Sequence, residues 1–392
     1  MAKRCFFLAL AALGLHLCLT PAVRGGEGPP RPAIAPKLQH YVEGQVMAGA
    51  VILVADREKV LALEAFGYSD LTARTPMRAD NLFWIASISK PVTAAALMML
   101  VDEGKVRLDD PVAKYIPAFA EVKVAQADGT LAPPSQPIRI REILSHTSGL
   151  RFLNSKDRQI IDSVPLETSV AHALLEPLLF EPGTKFLYSN EGIDAAGRII
   201  EIVSGMPYEQ FLQERLFTPL GMVDTTFRPS AEQLKRLAKS YKAAKDKKGL
   251  VEAPIHFLTY PLDGQNRHPA PGGGLFSTAR DLCRFAQMLA NGGTLDGRRC
   301  LSPEAVHEMT IKQTGAALPN QYGLGINGSD GTVFGHTGAF KTKLEVEHGQ
   351  IRIFLAQQAA EWSSGNPESD FATAARRLFP CQPPCGLAGF RK

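Results

Sequence analysis

The sequence predicts an α/β (α+β) fold: a mixed antiparallel sheet, built from both ends of the chain, flanked by helices and carrying a helical lobe. Three observations predict it. β-rich runs lie near residues 50–66 and again from about 322 to 358, helix-like segments and Pro-rich turns dominate between them, and the helical segment that follows Ser87 is apolar on every face over Thr93–Val101. With 392 residues, 45% hydrophobic and 21% charged, the chain has ample apolar material for a sizeable core. These numbers exclude a disordered, collagen-like or multi-pass membrane protein.

Lys3-Arg4, the 15-residue apolar run Cys5–Leu19 and the small-residue site Thr20-Pro21-Ala22 have the three-part form of a secretory signal over residues 1–22. The run is shorter than the ~20 apolar residues that cross a bilayer, so an exported mature chain with no stable membrane span is expected. The formal charge of +4 over this length predicts no nucleic-acid partner, and removing Lys3 and Arg4 lowers it further. The basic run from Lys235 to Lys248 reads as a solvated surface segment. Of six cysteines, Cys283, Cys300, Cys381 and Cys385 survive processing. An oxidising compartment permits Cys381–Cys385 and Cys283–Cys300 disulfides, with free thiols as the alternative, and no ligand spacing supports a metal site.

Residues 23–35 are Gly/Pro-rich and read as a linker, followed by a short helix over about 36–45. Ala50–Ala55 and Val60–Phe66 form a hairpin around the charged turn Asp56–Lys59. Thr93–Val101 is the buried helix, with Pro91 in its first turn and Gly104 at its C-terminal cap. Its clearest counterpart in the middle of the chain is Asn190–Ser204, where Ile193, Ala196, Ile199, Ile200 and Val203 share a stripe. Gly272-Gly-Gly274 lacks the spacing of a phosphate-binding loop and reads as a close-packed turn. Thr278 caps a helix running to about Asn291. Strands are expected at Val333–His336, Lys341–Glu347 and Gln350–Gln358, and a final amphipathic helix over about 369–378. The expected organisation is a signal at 1–22, a linker at 23–35, one domain at 36–380 and a tail at 381–392. Within the domain, the sheet lobe takes about 36–104 and 272–380, and an all-helical lobe takes about 105–271.

Three short groups carry the chemistry. Ser87-Ile-Ser-Lys90 stands at the head of the buried helix. Positions i and i+3 share a helix face, so Lys90 can take the Ser87 proton, provided burial or a nearby cation brings its pKa down from about 10.4. The helix N-terminus offers N–H groups to a developing oxyanion. Ser89 is the competing hydroxyl, off the Lys90 face. In Tyr188-Ser-Asn190, the hydroxyl can hand a proton to a leaving group if its pKa is lowered, and the amide can orient substrate and hold Lys90. Asn190 is also a candidate N-cap. His336-Thr-Gly338 ends a strand whose edge can pair with a substrate acyl chain. Gly338 permits close backbone approach, and the Ala339 N–H is the expected second oxyanion donor beside that of Ser87.

Ser-x-x-Lys, Tyr-x-Asn and His-Thr-Gly in this order resemble the serine β-lactamase and D,D-peptidase superfamily. Within it the likeness is to the β-lactamase-related group of class C β-lactamases, D-stereospecific peptidases and lactamase-like esterases. Phe83–Lys90, Leu144–Leu150, Phe186–Asn190, Pro271–Thr278 and Phe334–Ala339 share the resemblance, which covers about residues 36–360. It implies a β-lactamase/transpeptidase-like fold with the site between the sheet and the helical lobe. It also implies Ser87 as the acylated nucleophile and Lys90 with Tyr188 as the proton-transfer pair. Asn190 then contacts substrate and Lys90, and His336, Thr337, Gly338 and Ala339 form the strand wall. No metal or organic cofactor is implied.

The sequence departs from that pattern in two places. Class C β-lactamases generally carry Lys where this chain has His336, and a His is neutral for much of the time near pH 7. A β-lactam carboxylate therefore meets no fixed positive charge there. Lys341 and Lys343 stand where relatives often show Gly and an aromatic, at the cleft rim or in solvent. The expected function is an exported serine hydrolase acting through acyl-Ser87 on a small ester, amide or lactam, with an ester or D-amino-acid peptide ranked above a β-lactam. The alternatives are a true β-lactamase and, in another class, a non-hydrolytic penicillin- or cell-wall-peptide-binding protein.

Overall fold

In the computed structural model, which describes residues 33–156, 160–246 and 248–380, the two ends of the domain meet in one sheet. The expected signal at 1–22, most of the linker and the Cys381–Cys385 ring lie outside the described residues. Helix α1 (Ala35–Glu43) leads into β1 (Gly49–Ala55) and β2 (Val60–Asp70), with β3 (Thr75–Pro76) at the edge. The charged turn closes this hairpin: Asp56 Oδ1 accepts the Glu58 and Lys59 N–H groups, each at 2.8 Å. From the C-terminal side come β4 (Asn327–Gly328), β5 (Val333–Gly338), β6 (Thr342–Glu347) and β7 (Gln350–Leu355). The order is β4-β5-β6-β7-β1-β2-β3, and every pairing is antiparallel. Val51 pairs with Leu355 and Leu53 with Ile353, so the first strand lies beside the last.

β1 is apolar throughout because both of its faces are covered. Val51, Leu53 and Ala55 enter the main core, while Ala50, Ile52 and Val54 enter a second core with Leu38 and Tyr41 of α1. Helix α2 (Ser89–Asp102) runs through the main core, buried from Ser89 to Leu100, as a helix apolar on every face requires. Helices α3 (Ile140–Leu144) and α4 (Leu166–Ala173) pack on α5 (Asn190–Ser204), which itself packs on α2. Helix α6 (Ala279–Ala290) covers β1, β6 and β7, and α7 (Pro303–Thr310) packs on α2. Helix α8 (Pro367–Leu378) closes the second core through Phe371 and Ala375.

The middle of the chain is not wholly helical. Val124–Ala125 pairs with Leu131–Ala132, and Tyr241–Ala243 with Leu250–Glu252. The first ribbon turns at Asp128-Gly129, where Gly129 has φ 82° and Asp128 Oδ1 accepts the Thr130 N–H at 3.0 Å. Asp-Gly is a hairpin signal, hidden here among strong helix formers. The first part of the basic run is matched by carboxylates: Lys235 pairs with Glu232 at 2.6 Å, Lys239 with Asp70 and Glu252 at 3.0 Å each, and Arg236 with Asp224. Cys283 and Cys300 are both free thiols, which settles that pair against the disulfide alternative. Among the described residues, no helix is long and apolar enough to cross a membrane.

Candidate active site

Just before Ser87, Phe83–Trp84 pairs with Phe276–Ser277, which ties this segment to the triple-glycine turn. Trp84 Nε1 donates to the Gly273 carbonyl at 2.7 Å. Ser87 lies on a single 3-10 turn, Ala86–Ile88, that runs into α2. Ala86 has φ 47°, in the left-handed region that residues with a Cβ rarely adopt. Its neighbours hold it there. The Ile85 N–H donates to the Leu275 carbonyl at 3.0 Å, and Ser89 Oγ donates to the Ala86 carbonyl at 2.7 Å while accepting the Leu275 N–H at 3.1 Å. Ser89 is thus buried and engaged on both sides.

Lys90 Nζ lies 3.1 Å from Ser87 Oγ, 2.6 Å from Asn190 Oδ1 and 2.5 Å from the Gly272 carbonyl oxygen. Complete burial brings its pKa down to about 7, against the opposing pull of the Asp194 carboxylate. A neutral amine has two N–H donors and one lone pair. The two carbonyl oxygens can only accept, so they consume the donors and leave the lone pair facing the Ser87 hydroxyl. A Cβ on Gly272 would stand 2.9 Å from Asn190 Oδ1, so the triple glycine is the close-packed turn that the sequence predicts.

Ser189, rather than Asn190, caps α5, its Oγ accepting the Gly192 N–H at 3.0 Å. Asn190 becomes the first helical residue, with its amide aimed at Lys90. Asp194, one turn on, accepts the Gly272 N–H through Oδ1 at 3.1 Å. The Tyr188 ring stands 4.6 Å from Lys90 Nζ, with Ser87 close to its hydroxyl. Burial raises Tyr188 above the ordinary tyrosine range, with the nearby Ser87 hydroxyl pulling the other way. That reverses the lowered value the sequence argument required. A Lys90 that is itself neutral for much of the time holds no fixed cation beside the phenol, so Tyr188 keeps its proton.

His336, Thr337, Gly338 and Ala339 form one wall of a cleft of about 420 Å³ that Ser87 and Tyr188 also border. His336 Nδ1 lies 2.7 Å from the Thr337 carbonyl, and burial, with Lys90 nearby, pushes the imidazole pKa down to about 3. The ring is neutral far more firmly than its residue type alone suggests. Lys341 pairs with Glu361 at 2.7 Å and stands away from this cleft, whereas Lys343, paired with Glu345 at 3.4 Å, lines an adjoining pocket that shares Gln321, Asn327, His336 and Thr337 with it. Among the described residues, no Lys, Arg, Asp or Glu borders it.

Sequence reasoning missed the remaining side, formed by Asn320, Gln321, Tyr322 and Asn327. The Tyr322 hydroxyl lies 3.0 Å from His146 Nε2 and 3.0 Å from His336 Nε2. His146 belongs to the Leu144–Leu150 segment, which carries the family likeness but was assigned no role. Tyr322 has no motif of its own. Its place is set by tertiary docking, where the Gly325 N–H donates to the Leu144 carbonyl at 2.8 Å beside His146.

The antiparallel sheet, the buried helix entered at Ser87 and the cleft between β5 and the start of α5 define a protein of the β-lactamase/transpeptidase fold. A family model described as Beta-lactamase matches residues 34–360, and the chain belongs to this family of hydrolases. It is 36% identical over 288 residues to Protein Rv1367c of Mycobacterium tuberculosis, covering 69% of each chain. Esterase EstB of Burkholderia gladioli is 30% identical over 275 residues, or 64% of this chain and 67% of the esterase. The solved structure of EstCE1, a hydrolase with promiscuous acyltransferase activity, shares the fold with a TM-score of 0.73 at 24% identity, covering 87% of this chain and 98% of that one.

Proposed function

We propose that the protein is a serine hydrolase that cleaves small, uncharged carboxylic esters through a covalent acyl-Ser87 intermediate. The observation that carries this reading is Lys90, fully buried, with a pKa near 7 and Nζ 3.1 Å from Ser87 Oγ. Lys90 takes the Ser87 proton as Oγ attacks the ester carbonyl carbon. The Ser87 and Ala339 backbone N–H groups receive the oxyanion. The carbonyl–alkoxy bond then breaks, Tyr188 gives its proton to the departing alkoxide, and the Lys90 ammonium restores the Tyr188 proton. Water attacks the acyl-enzyme by the same proton route and releases the acid. Asn190 holds Lys90, and β5 supplies the wall along which the acyl chain lies.

The charge of the cleft supports an ester over a β-lactam or a peptide with a free C-terminal carboxylate. Such substrates bring a negative charge, and the cleft wall offers no fixed cation to receive it: His336 is held neutral, Lys90 is uncharged in its active form, and Lys343, in the adjoining pocket, is paired with Glu345. The relation to Esterase EstB points the same way. Fluorophosphonate labelling followed by peptide mass spectrometry should place the adduct on Ser87, and turnover should rank p-nitrophenyl butyrate above nitrocefin and a D-Ala-D-Ala peptide. An adduct elsewhere, or full activity in Ser87→Ala, removes the mechanism. Nitrocefin as much the best substrate removes the ester assignment, and a stable adduct without turnover of any ester returns the binding-protein alternative. Export is proposed from the pattern of residues 1–22. Cell fractionation with N-terminal sequencing tests it, and a cytosolic chain still starting at Met1 would refute it.

A further inference from the structure

Along the cleft wall, three side chains, His146, Tyr322 and His336, form a hydrogen-bond chain whose direction is fixed at both ends by a backbone group. At one end the Ser189 N–H points at His146 Nδ1 over 3.2 Å. A backbone N–H can only donate, so this nitrogen carries no hydrogen. At the other end His336 Nδ1 lies 2.7 Å from the Thr337 carbonyl oxygen, which can only accept, so this nitrogen does carry one. Both rings are buried, and that burial holds them neutral, so each has a single hydrogen. His146 therefore bears its hydrogen on Nε2, and His336 Nε2 is bare. Tyr322 stands between them at 3.0 Å from each, and its own burial keeps it protonated. It accepts from His146 and donates to His336.

The bare His336 nitrogen faces a second hydroxyl. Tyr188 lies 3.5 Å from the same Nε2 atom. That atom has one lone pair, and Tyr322 takes it at the shorter distance. The Tyr188 hydrogen is then left for Ser87 and for whatever departs from the carbonyl carbon. We infer that Tyr322, held by His146, is a positioning residue that fills the His336 acceptor and so keeps the Tyr188 proton available to the leaving alkoxide. The inference rests on the acyl-Ser87 reading above. The step balances as written there: the alkoxide gains the Tyr188 proton, and Tyr188 regains one from the Lys90 ammonium.

Leaving-group dependence tests it. Nitrophenolate departs without a proton, whereas an alkoxide needs one. Tyr322→Phe leaves Tyr188 as the hydroxyl facing His336 Nε2, so kcat/KM for ethyl butyrate should fall at least tenfold more than for p-nitrophenyl butyrate. Equal losses on the two esters, or no loss on either, overturn the inference while Ser87 labelling stands, whereas absent labelling in the wild type overturns the underlying mechanism. Imidazole ¹⁵N NMR on the wild-type protein gives a second test that needs no variant to fold. His146 and His336 should show opposite tautomers, with hydrogen on Nε2 of the first and on Nδ1 of the second. Matching tautomers would refute the chain.

Discussion

Gly338 seats against the Ile85 carbonyl so closely that a Cβ on it would overlap that oxygen, and would overlap Thr342 Oγ1 as well. Thr342 Oγ1 donates to the same Ile85 oxygen at 3.3 Å. The end of β5 and the backbone entering the Ser87 turn therefore form one unit. Gly338→Ala must push them apart, because one of the atoms it meets is backbone. Strain of this kind costs about 1–3 kcal/mol. A displacement of roughly 1 Å at a reacting centre costs about a hundredfold in rate. We expect a lowered urea midpoint together with a fall in kcat/KM of that order. A variant with normal melting and normal turnover would show that β5 is not docked this way.

The pH dependence follows from Lys90. Its active form is the free amine, and its pKa is brought down to about 7 by burial. Activity should fall tenfold per pH unit below that point and level off above it. His336, at about 3, stays neutral from pH 5 upward and adds no limb, and Tyr188 lies above its ordinary range, so no alkaline decline is expected below pH 10. The Asp194 carboxylate raises the Lys90 pKa. Asp194→Asn removes that charge, so its profile of kcat/KM against pH should shift its midpoint to lower pH. A midpoint that stays put or moves up contradicts the assignment of Lys90 as the base.

Ser89 offers a separate test of which hydroxyl reacts. It is buried, donates to the Ala86 carbonyl and accepts the Leu275 N–H. Ser89→Ala leaves the Leu275 N–H without that partner, at a cost of about 1–3 kcal/mol. The expected variant is less stable by urea denaturation and still takes the fluorophosphonate at Ser87. Loss of labelling with an unchanged denaturation midpoint would reassign the nucleophile.

Much of this arrangement was legible because short-range chemistry encodes it. The spacing of Ser87 and Lys90 on a helix, the hairpin around Asp56–Lys59 and the Thr278 cap all depend on residues a few positions apart. The Asn190–Ser204 boundaries were readable for the same reason, although the cap is Ser189, one residue earlier. What stayed hidden depends on burial and long-range docking. Tyr188 is raised rather than lowered because desolvation prevails, and desolvation is a property of the packed molecule. Tyr322 meets His146 across a separation of 176 residues, and nothing local to either announces the pairing.

The loop beside the glycine turn depends on a buried ion pair. Arg267 Nε lies 2.7 Å from Asp162 Oδ2, with side chains 2% and 0% exposed. Arg267 also donates to the Phe227 and Leu262 carbonyls at 2.8 and 2.6 Å, and Asp162 Oδ1 accepts the Thr259 N–H at 2.8 Å. Ile161, next to Asp162, covers Gly273, where a Cβ would stand 3.1 Å from Ile161 Cδ1. The pair thus fixes the loop that backs the turn carrying Gly272, a partner of Lys90. Removing one member strands the other charge without water, a loss of roughly 3–5 kcal/mol. Arg267→Met should therefore lower stability by about that amount, and Arg267→Met with Asp162→Leu by much less than the sum of the two single changes. In both, the folded enzyme should acylate more slowly, because the Gly272 carbonyl no longer holds the Lys90 amine in register. Urea denaturation and pre-steady-state acylation measure the two effects separately. Additive stability losses, or acylation at the wild-type rate in a destabilised variant, would place this pair outside the support of the site.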